Sequence, residues 1–411
     1  MGTPLTLSRE WLLDDVRRRF GVSTPASASP LTIGAELELI PLHVDTRLPV
    51  PIESHTTACS LDILRRAGVK SGWRERPMGS DPSSWELASG ARISFEPGGQ
   101  IEVSSAPHST ATALIAELSG ITSALHDTFE RHGVFLETRG IDPHNAIEQV
   151  PLQLHRERYE RMTQYFELIG PSGIQMMRQT ASVQVNVEPG GDPLARWSLL
   201  NRLAPALVAM FANSSQYAGS GTEHASYRAH LWRTLDQSRT GMFTNDNPIE
   251  SYCDFAVGAG WMFGPSPDKN YESFGRAIES GASEQDWNLH VSTLFPEVRP
   301  RQFFEVRSPD MVDLHWIAAP IAIIAGICYD PESAAAATEL LKDFDGDTLI
   351  RAGRDGLADD EIRSVVGELS DLALRGCAAL GHEYLSHEDL DILCKFVDCY
   401  PANGRSPADN S

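Results

Sequence analysis

The sequence predicts an α+β fold built on one mainly antiparallel sheet. Several short stretches alternate largely between apolar and polar residues, at 31–41, 91–95, 100–105, 180–188 and 302–307, and read as half-buried strands. The segments between them are helical in period but unequal in length, unlike the regular strand–helix alternation of a parallel sheet. From Leu314 to Lys395 the chain is rich in Ala, Leu and paired charges and reads as helix.

In chain order, residues 1–20 read as a charged amphipathic helix without the apolar core or cleavage site of a signal peptide. Residues 22–30 are rich in Ser, Ala and Pro and read as a loop. A strand at 31–41 is followed by a mixed region to Gly90. Strands at 91–95 and 100–105 then flank the interruption Pro97-Gly98-Gly99. A helix at 110–132, a strand at 134–141, and a helix at 156–168 ended by Gly170-Pro171 come next. Helices are expected at 192–213 and 223–235. Residues 288–294 and 302–307 read as an antiparallel pair joined through 296–301. No repeat or linker divides the chain. One domain over 1–400 is expected, its part 313–400 helical, with a disordered tail at 401–411.

The chain has 411 residues and a net charge of -22. Such acidity excludes sequence-independent nucleic-acid binding, which needs Lys and Arg against phosphate. The six cysteines show no CxxC spacing, and no run of eighteen apolar residues appears. A reduced, cytoplasmic protein with no membrane span is expected, as a monomer or weak homodimer.

Four of the strands share an unusual polar face. In residues 33–41 (IGAELELIP) Glu36 and Glu38 lie on one side and Leu37 and Leu39 on the other. In 94–105 (SFEPGGQIEVSS) Gln100, Glu102 and Ser104 share a side, and the glycine bend can return Glu96 to it. In 180–188 (TASVQVNVE) Ser182, Gln184, Asn186 and Glu188 oppose three valines, and in 302–307 (QFFEVR) Glu305 and Arg307 share a face. Wet strand faces usually mix Thr, Lys and Arg. These offer oxygen ligands, which suit a hard divalent cation such as Mg²⁺ bound to ATP. Calcium, or a plain polar groove, would present a similar pattern.

There is no P-loop, no GxGxxG after a strand, no GxSxG elbow and no HExxH. The histidines lie mostly in helical patterns. His290 stands apart, placed before Val291 and beside the expected Glu305 strand. Arg228, Arg233 and Arg239 in 227–240, and Arg299, Arg301 and Arg307, can grip carboxylate or phosphate in bidentate fashion. For Arg233 and Arg301 a surface salt bridge is the expectation.

Taken in order, IGAELELIP, SFEPGGQIEVSS, GIQMMRQTASVQVNVE, YRAHLWRTLDQSRTG and HVSTLFPEVRPRQFFEVR resemble glutamate–cysteine ligase. The resemblance is to the plant-type group and to the actinobacterial enzymes that open ergothioneine biosynthesis. It covers about residues 33–311 and weakens beyond. It implies a glutamine synthetase-like fold, a curved antiparallel sheet forming an active-site funnel surrounded by helices. It also implies ATP-dependent joining of the L-glutamate γ-carboxylate to the amine of L-cysteine. Matching positions imply that Glu36, Glu38, Glu96, Glu102 and Glu305 bind Mg²⁺ and nucleotide, supported by Gln100 and Gln184. Arg307 and Arg228 would clamp phosphate or glutamate, and Met176-Met177 would pack at the funnel. Ser308-Pro309-Asp310 and Asn186-Val187-Glu188 depart from the plant pattern, and no plant-type regulatory disulfide is evident. A ligase for another amine acceptor, or a catalytically silent relative, remains open.

Overall fold

The computed structural model describes residues 7–22, 31–79, 81–264 and 271–410. From residue 23 on, the expected loop at 22–30 lies outside them, as do residues 1–6 of the expected first helix. That helix, α1 (Arg9–Arg19), begins at Ser8, whose hydroxyl accepts from the Trp11 amide.

The centre of the fold is β1 (Ile33–His43), which carries sheet on both sides. The other strands of its sheet are β2 (Arg74–Met78), β3 (Asp81–Glu86), β4 (Arg92–Phe95), β5 (Ile101–Ser104), β6 (Val134–Glu137), β7 (Val183–Val187), β8 (Val298–Pro300) and β9 (Phe304–Val306). They form one nine-stranded sheet in the order β8-β9-β7-β1-β5-β4-β3-β2, with β6 paired to the C-terminal half of β1, and every pairing is antiparallel. The protein is therefore α+β with an antiparallel sheet, as its alternation predicts. Along β1 the apolar side chains Ile33, Ala35, Leu37 and Leu39 are sealed in the core, while Glu36 and Glu38 reach the opposite face.

Helices surround the sheet. They include α2 (Ser60–Ser71), α3 (Ala111–Glu130), α4 (Glu157–Ile169), α5 (Pro171–Gln179), α6 (Pro193–Met210) and α7 (Tyr227–Thr234). Next come α8 (Pro248–Gly258), α9 (Phe274–Glu279), α10 (Glu284–Val291), α11 (Ala318–Tyr329), α12 (Pro331–Leu340), α13 (Gly346–Asp355), α14 (Asp360–Leu380) and α15 (His387–Cys399). Every residue of α11 is buried, and it packs against β7, α3, α14 and α15. Its crossing with α14 is backbone-close: a Cβ on Gly376 would overlap the Gly326 carbonyl, so neither wall can carry a side chain there. Among the described residues no single helix is long and apolar enough to cross a membrane.

Two expectations are corrected. Residues 288–294 are not a strand. Ser283 and Asp286 form a reciprocal capping box that starts α10, and α10 runs through Val291. The true hairpin is β8–β9, turned by Gln302, whose φ of 68° lies in the left-handed region. The tail is not disordered over 401–410. Pro401–Asn403 and Pro407–Asn410 are 3₁₀ turns, Pro407 and Ala408 are buried, and the Ala408 amide donates to the Ala212 carbonyl at 2.8 Å. Its Pro, Gly and Asn content built turns rather than disorder. Gly170-Pro171 ends α4 as expected, and it also starts α5. Pro171 occupies the first turn of α5, where its missing N–H costs nothing.

Candidate active site

The polar face of the sheet forms the floor of a cavity of about 910 Å³. Registration places its side chains in rows. Glu38 stands opposite Glu102, and Glu102 opposite Ser94. Glu36 stands between Ser104 on β5 and Gln184 on β7. The turn after β4 returns Glu96 to the same cavity, so Glu36, Glu38, Glu96 and Glu102 all line it.

This turn explains the Pro-Gly-Gly spacing. A Cβ on Gly98 would overlap the carbonyl of Arg178 at the end of α5, and Gly99 has a φ of 96°. Gln100 clips the two segments together: its Oε1 accepts from the Gly98 amide at 3.0 Å and its Nε2 donates to the Thr180 carbonyl at 3.0 Å. Gln100 thus lines the cavity but spends its amide on the scaffold.

Among the described residues only neutral groups donate hydrogen bonds to these acids. Ser182 Oγ and Gln184 Nε2 donate to Glu38 at 2.9 and 3.3 Å, and Ser104 and Ser94 hydroxyls to Glu102 at 3.0 and 3.3 Å. Three of the four bind protons strongly, and burial is the main cause. Burial, then the charges of Glu102 and Glu305, push Glu36 up to about 8. Burial pushes Glu38 up to about 7, with Arg228 opposing and Glu102 assisting, while burial and Glu102 push Glu96 well above the usual range. Among the described residues no three acid, imidazole or thiolate groups converge closely enough to enclose one ion by themselves.

Glu305 differs from these four. It is fully buried, receives two hydrogen bonds from Arg299 at 2.6 and 3.0 Å, and pairs with Arg301 at 3.2 Å and Arg307 at 3.3 Å. Burial would raise it, but Arg299, Arg307 and Arg301 prevail and hold it at about 2. It forms an anchor beneath the arginines, and Arg299, Arg301 and Arg307, not Glu305, line the cavity. Arg307 also donates through Nε to Gln184 Oε1 at 3.3 Å, so Gln184 links Glu38 to Arg307. Arg307 Nη1 is buried and has no partner, and the guanidinium lies 5.3 Å from the Trp232 ring.

Arg228 is placed elsewhere than expected. It does not face the cavity; its Nη2 donates to the Arg307 carbonyl at 2.8 Å and its Nη1 to the Ser308 carbonyl at 3.3 Å. Arg233, expected at the surface, pairs at 2.7 Å with the buried Glu297. Arg301 is half exposed and pairs with Glu305 as well as lining the cavity. His290 is buried in α10, stacked on Phe274, and donates to the Ala256 carbonyl at 2.7 Å; burial pushes it down to about 3 and it takes no part in the cavity. Sequence reasoning did not single out Arg158, which lines the opposite wall with a buried, unpartnered Nε. Nothing local marks it among the charges of α4. Met176 and Met177 line the same wall with Met162, Trp232 and Phe295 and belong to a second apolar cluster.

Residues 32–409 match the family described as glutamate–cysteine ligase family 2 (GCS2). The chain belongs to this family. The match runs past Met311 through the C-terminal helices, further than the motifs alone reach. The family member from Mycolicibacterium smegmatis, glutamate–cysteine ligase EgtA, is 33% identical over 348 residues, covering 79% of this chain and 78% of the relative. The chloroplastic glutamate–cysteine ligase A of Oryza sativa subsp. indica is 26% identical over 404 residues, covering 92% and 79%. A crystal structure of glutamate–cysteine ligase from Francisella tularensis in complex with AMP superposes with a TM-score of 0.55 at 11% identity, covering 93% of this chain and 84% of that one. At that identity the likeness is one of fold. All six cysteines of this family member are unpaired, and four are buried.

Proposed function

We propose that the protein is an ATP-dependent glutamate–cysteine ligase whose product, γ-glutamylcysteine, feeds glutathione or ergothioneine-type thiol synthesis. The observation that carries this reading is the set of four cavity carboxylates that form no ion pair among the described residues, set against Arg307, which lines the same cavity with an unpartnered Nη1. A carboxylate resists attack by an amine because of its charge. In the proposed reaction a γ-carboxylate oxygen of glutamate attacks the γ-phosphorus of ATP and ADP leaves. The cysteine amine then attacks the acyl carbon, phosphate departs with the C–O electron pair, and the amine gives up a proton.

Magnesium fits the donor set: Glu36, Glu38, Glu96 and Glu102 supply only oxygens, and burial makes Glu36, Glu38 and Glu96 hold protons tightly. Bound there, it would neutralise the nucleotide phosphates. Arg307, kept in place by Glu305 and Gln184, directs Nη1 at anionic oxygens of the substrates. The wall of Met162, Met176, Met177, Trp232 and Phe295 excludes water from an acyl phosphate. The test is product mass with a panel of acceptor amines. Phosphate release is expected only with Mg²⁺, glutamate and acceptor together, and cysteine should give the best yield. A different preferred amine would reassign the acceptor, and no γ-glutamyl product with any amine overturns the ligase reading.

A further inference from the structure

We infer that Asp310, outside the cavity, is a positioning residue for Arg307 and acts through Arg228; this rests on the reading of Arg307 as the substrate-facing cation. Asp310 is 1% exposed and is saturated with donors. Its Oδ2 accepts from the Asn213 amide at 2.9 Å and the Ser214 hydroxyl at 2.7 Å, and its Oδ1 from the Ser226 hydroxyl at 2.9 Å. That leaves the carboxylate one orientation, with Oδ1 3.7 Å from Arg228 Nη1. Gly140 is what makes room, since a Cβ there would overlap the Asp310 carboxyl group.

Arg228 is also buried, and its other contacts are two carbonyls and the Trp232 ring, whose centroid lies 4.6 Å away. Carbonyls cannot neutralise a buried guanidinium, and Asp310 is the one carboxylate in ion-pair range among the described residues. The two carbonyls belong to Arg307 and Ser308, so the pair fixes the backbone from which the Arg307 side chain departs. A second tether holds the same stretch from the other side. The Arg307 amide donates to the Glu297 carbonyl at 3.0 Å and Ser308 Oγ to Glu297 Oε2 at 2.8 Å. Trp232 lies against both guanidiniums, so a shift of Arg228 is passed to Arg307 through the ring as well as the chain. Displacements of this kind act on turnover more than on ground-state binding.

The test is a double-mutant cycle of Asp310→Asn and Arg228→Gln, with kcat, KM for ATP and glutamate, and melting temperature measured for each variant. Asp310→Asn keeps the shape and removes the charge. It is expected to lower kcat at least about tenfold below its melting temperature, with both KM values within about threefold, and to add less than about twofold in the Arg228→Gln background. Unchanged kcat in folded Asp310→Asn, whatever its melting temperature, overturns the inference, as do effects that multiply in the double variant. Should Asp310→Asn not fold, Ser214→Ala removes one donor to Oδ2, and a kcat equal to that of the unaltered protein overturns the inference there. An unaltered protein that makes no γ-glutamyl product overturns the ligase reading and this inference together. An active ligase indifferent to Asp310 overturns the inference alone.

Discussion

Glu38 of β1 and Glu102 of β5 face each other directly across an antiparallel pair, two carboxylates where a sheet ordinarily avoids like charges. The serine and glutamine donors around them satisfy lone pairs without neutralising charge. Glu102→Gln is therefore expected to raise the melting temperature measured without divalent cation, by relief of roughly 1 kcal/mol of repulsion. The same variant is expected to lose at least about a hundredfold in kcat. A fall in both quantities would mean that Glu102 is a structural acid.

The same substitution at Glu305 is expected to act oppositely on stability. Glu305 compensates Arg299, Arg301 and Arg307, and Gln would leave buried guanidiniums unpaired. Breaking a buried pair in this way costs about 3–5 kcal/mol. Denaturant unfolding of Glu305→Gln beside Glu102→Gln gives the comparison, and equal signs would refute the distinction between the two acids.

Stability should depend on pH in a definite direction. Glu36 and Glu38 hold their protons up to about 8 and about 7, against an ordinary value of 4.5. An acid whose folded-state value is raised contributes stability that is complete below its unfolded value and is lost as pH climbs through the folded one. Glu305, held at about 2, works the other way, but only below 4.5. Without divalent cation the melting temperature is thus expected to fall between about pH 5 and 8.5, and Mg²⁺ should flatten that fall by taking the place of the protons. Calorimetry in Mg²⁺ and in chelator checks this, and parallel curves would contradict it.

Gly98→Ala should disturb the site from behind. The new methyl group would meet backbone at Arg178, which cannot rotate away as a side chain could. Strain of about 1–3 kcal/mol is expected, with the β4–β5 turn and Glu96 displaced. Activity should fall further than the melting temperature explains, as assayed on folded protein.

Arg307→Lys is expected to lower kcat by roughly a hundredfold or more while the protein remains folded. Lysine keeps the charge, but it cannot at once reach Glu305 and Gln184 and present another donor to the cavity, as the planar guanidinium does. Activity close to normal would show that charge alone suffices.

The acid face was legible in the sequence because side chains on a strand alternate with a period of two. Glu36 and Glu38, or Gln100 and Glu102, need only their own segment to be placed on a common side, and Leu37 and Ile101 between them select which side is buried. Where the local signal was ambiguous, reading went astray. Residues 288–294 alternate well enough for a strand, yet the capping box at Ser283 and Asp286 set a helix running through them. The proline- and asparagine-bearing tail could be disordered or turned, and burial of Pro407 and Ala408 with the Ala408–Ala212 backbone hydrogen bond decided it.

The sequence by itself determined an antiparallel α+β fold, the oxygen-rich face of four strands and the family, since all three rest on local period and on motifs within short segments. Only the tertiary structure decided what the charged side chains do. Glu305 and Glu102 are both strand glutamates on one face, but the β8–β9 hairpin brings Arg299 back onto Glu305, whereas β1 sets Glu38 against Glu102. Arg228 and Arg307 read alike along the chain; packing turned one toward backbone carbonyls and Asp310 and set the other along the cavity wall with an unpartnered Nη1. A charge takes its character from the partners that long-range folding brings to it, and those partners are not written beside it in the chain.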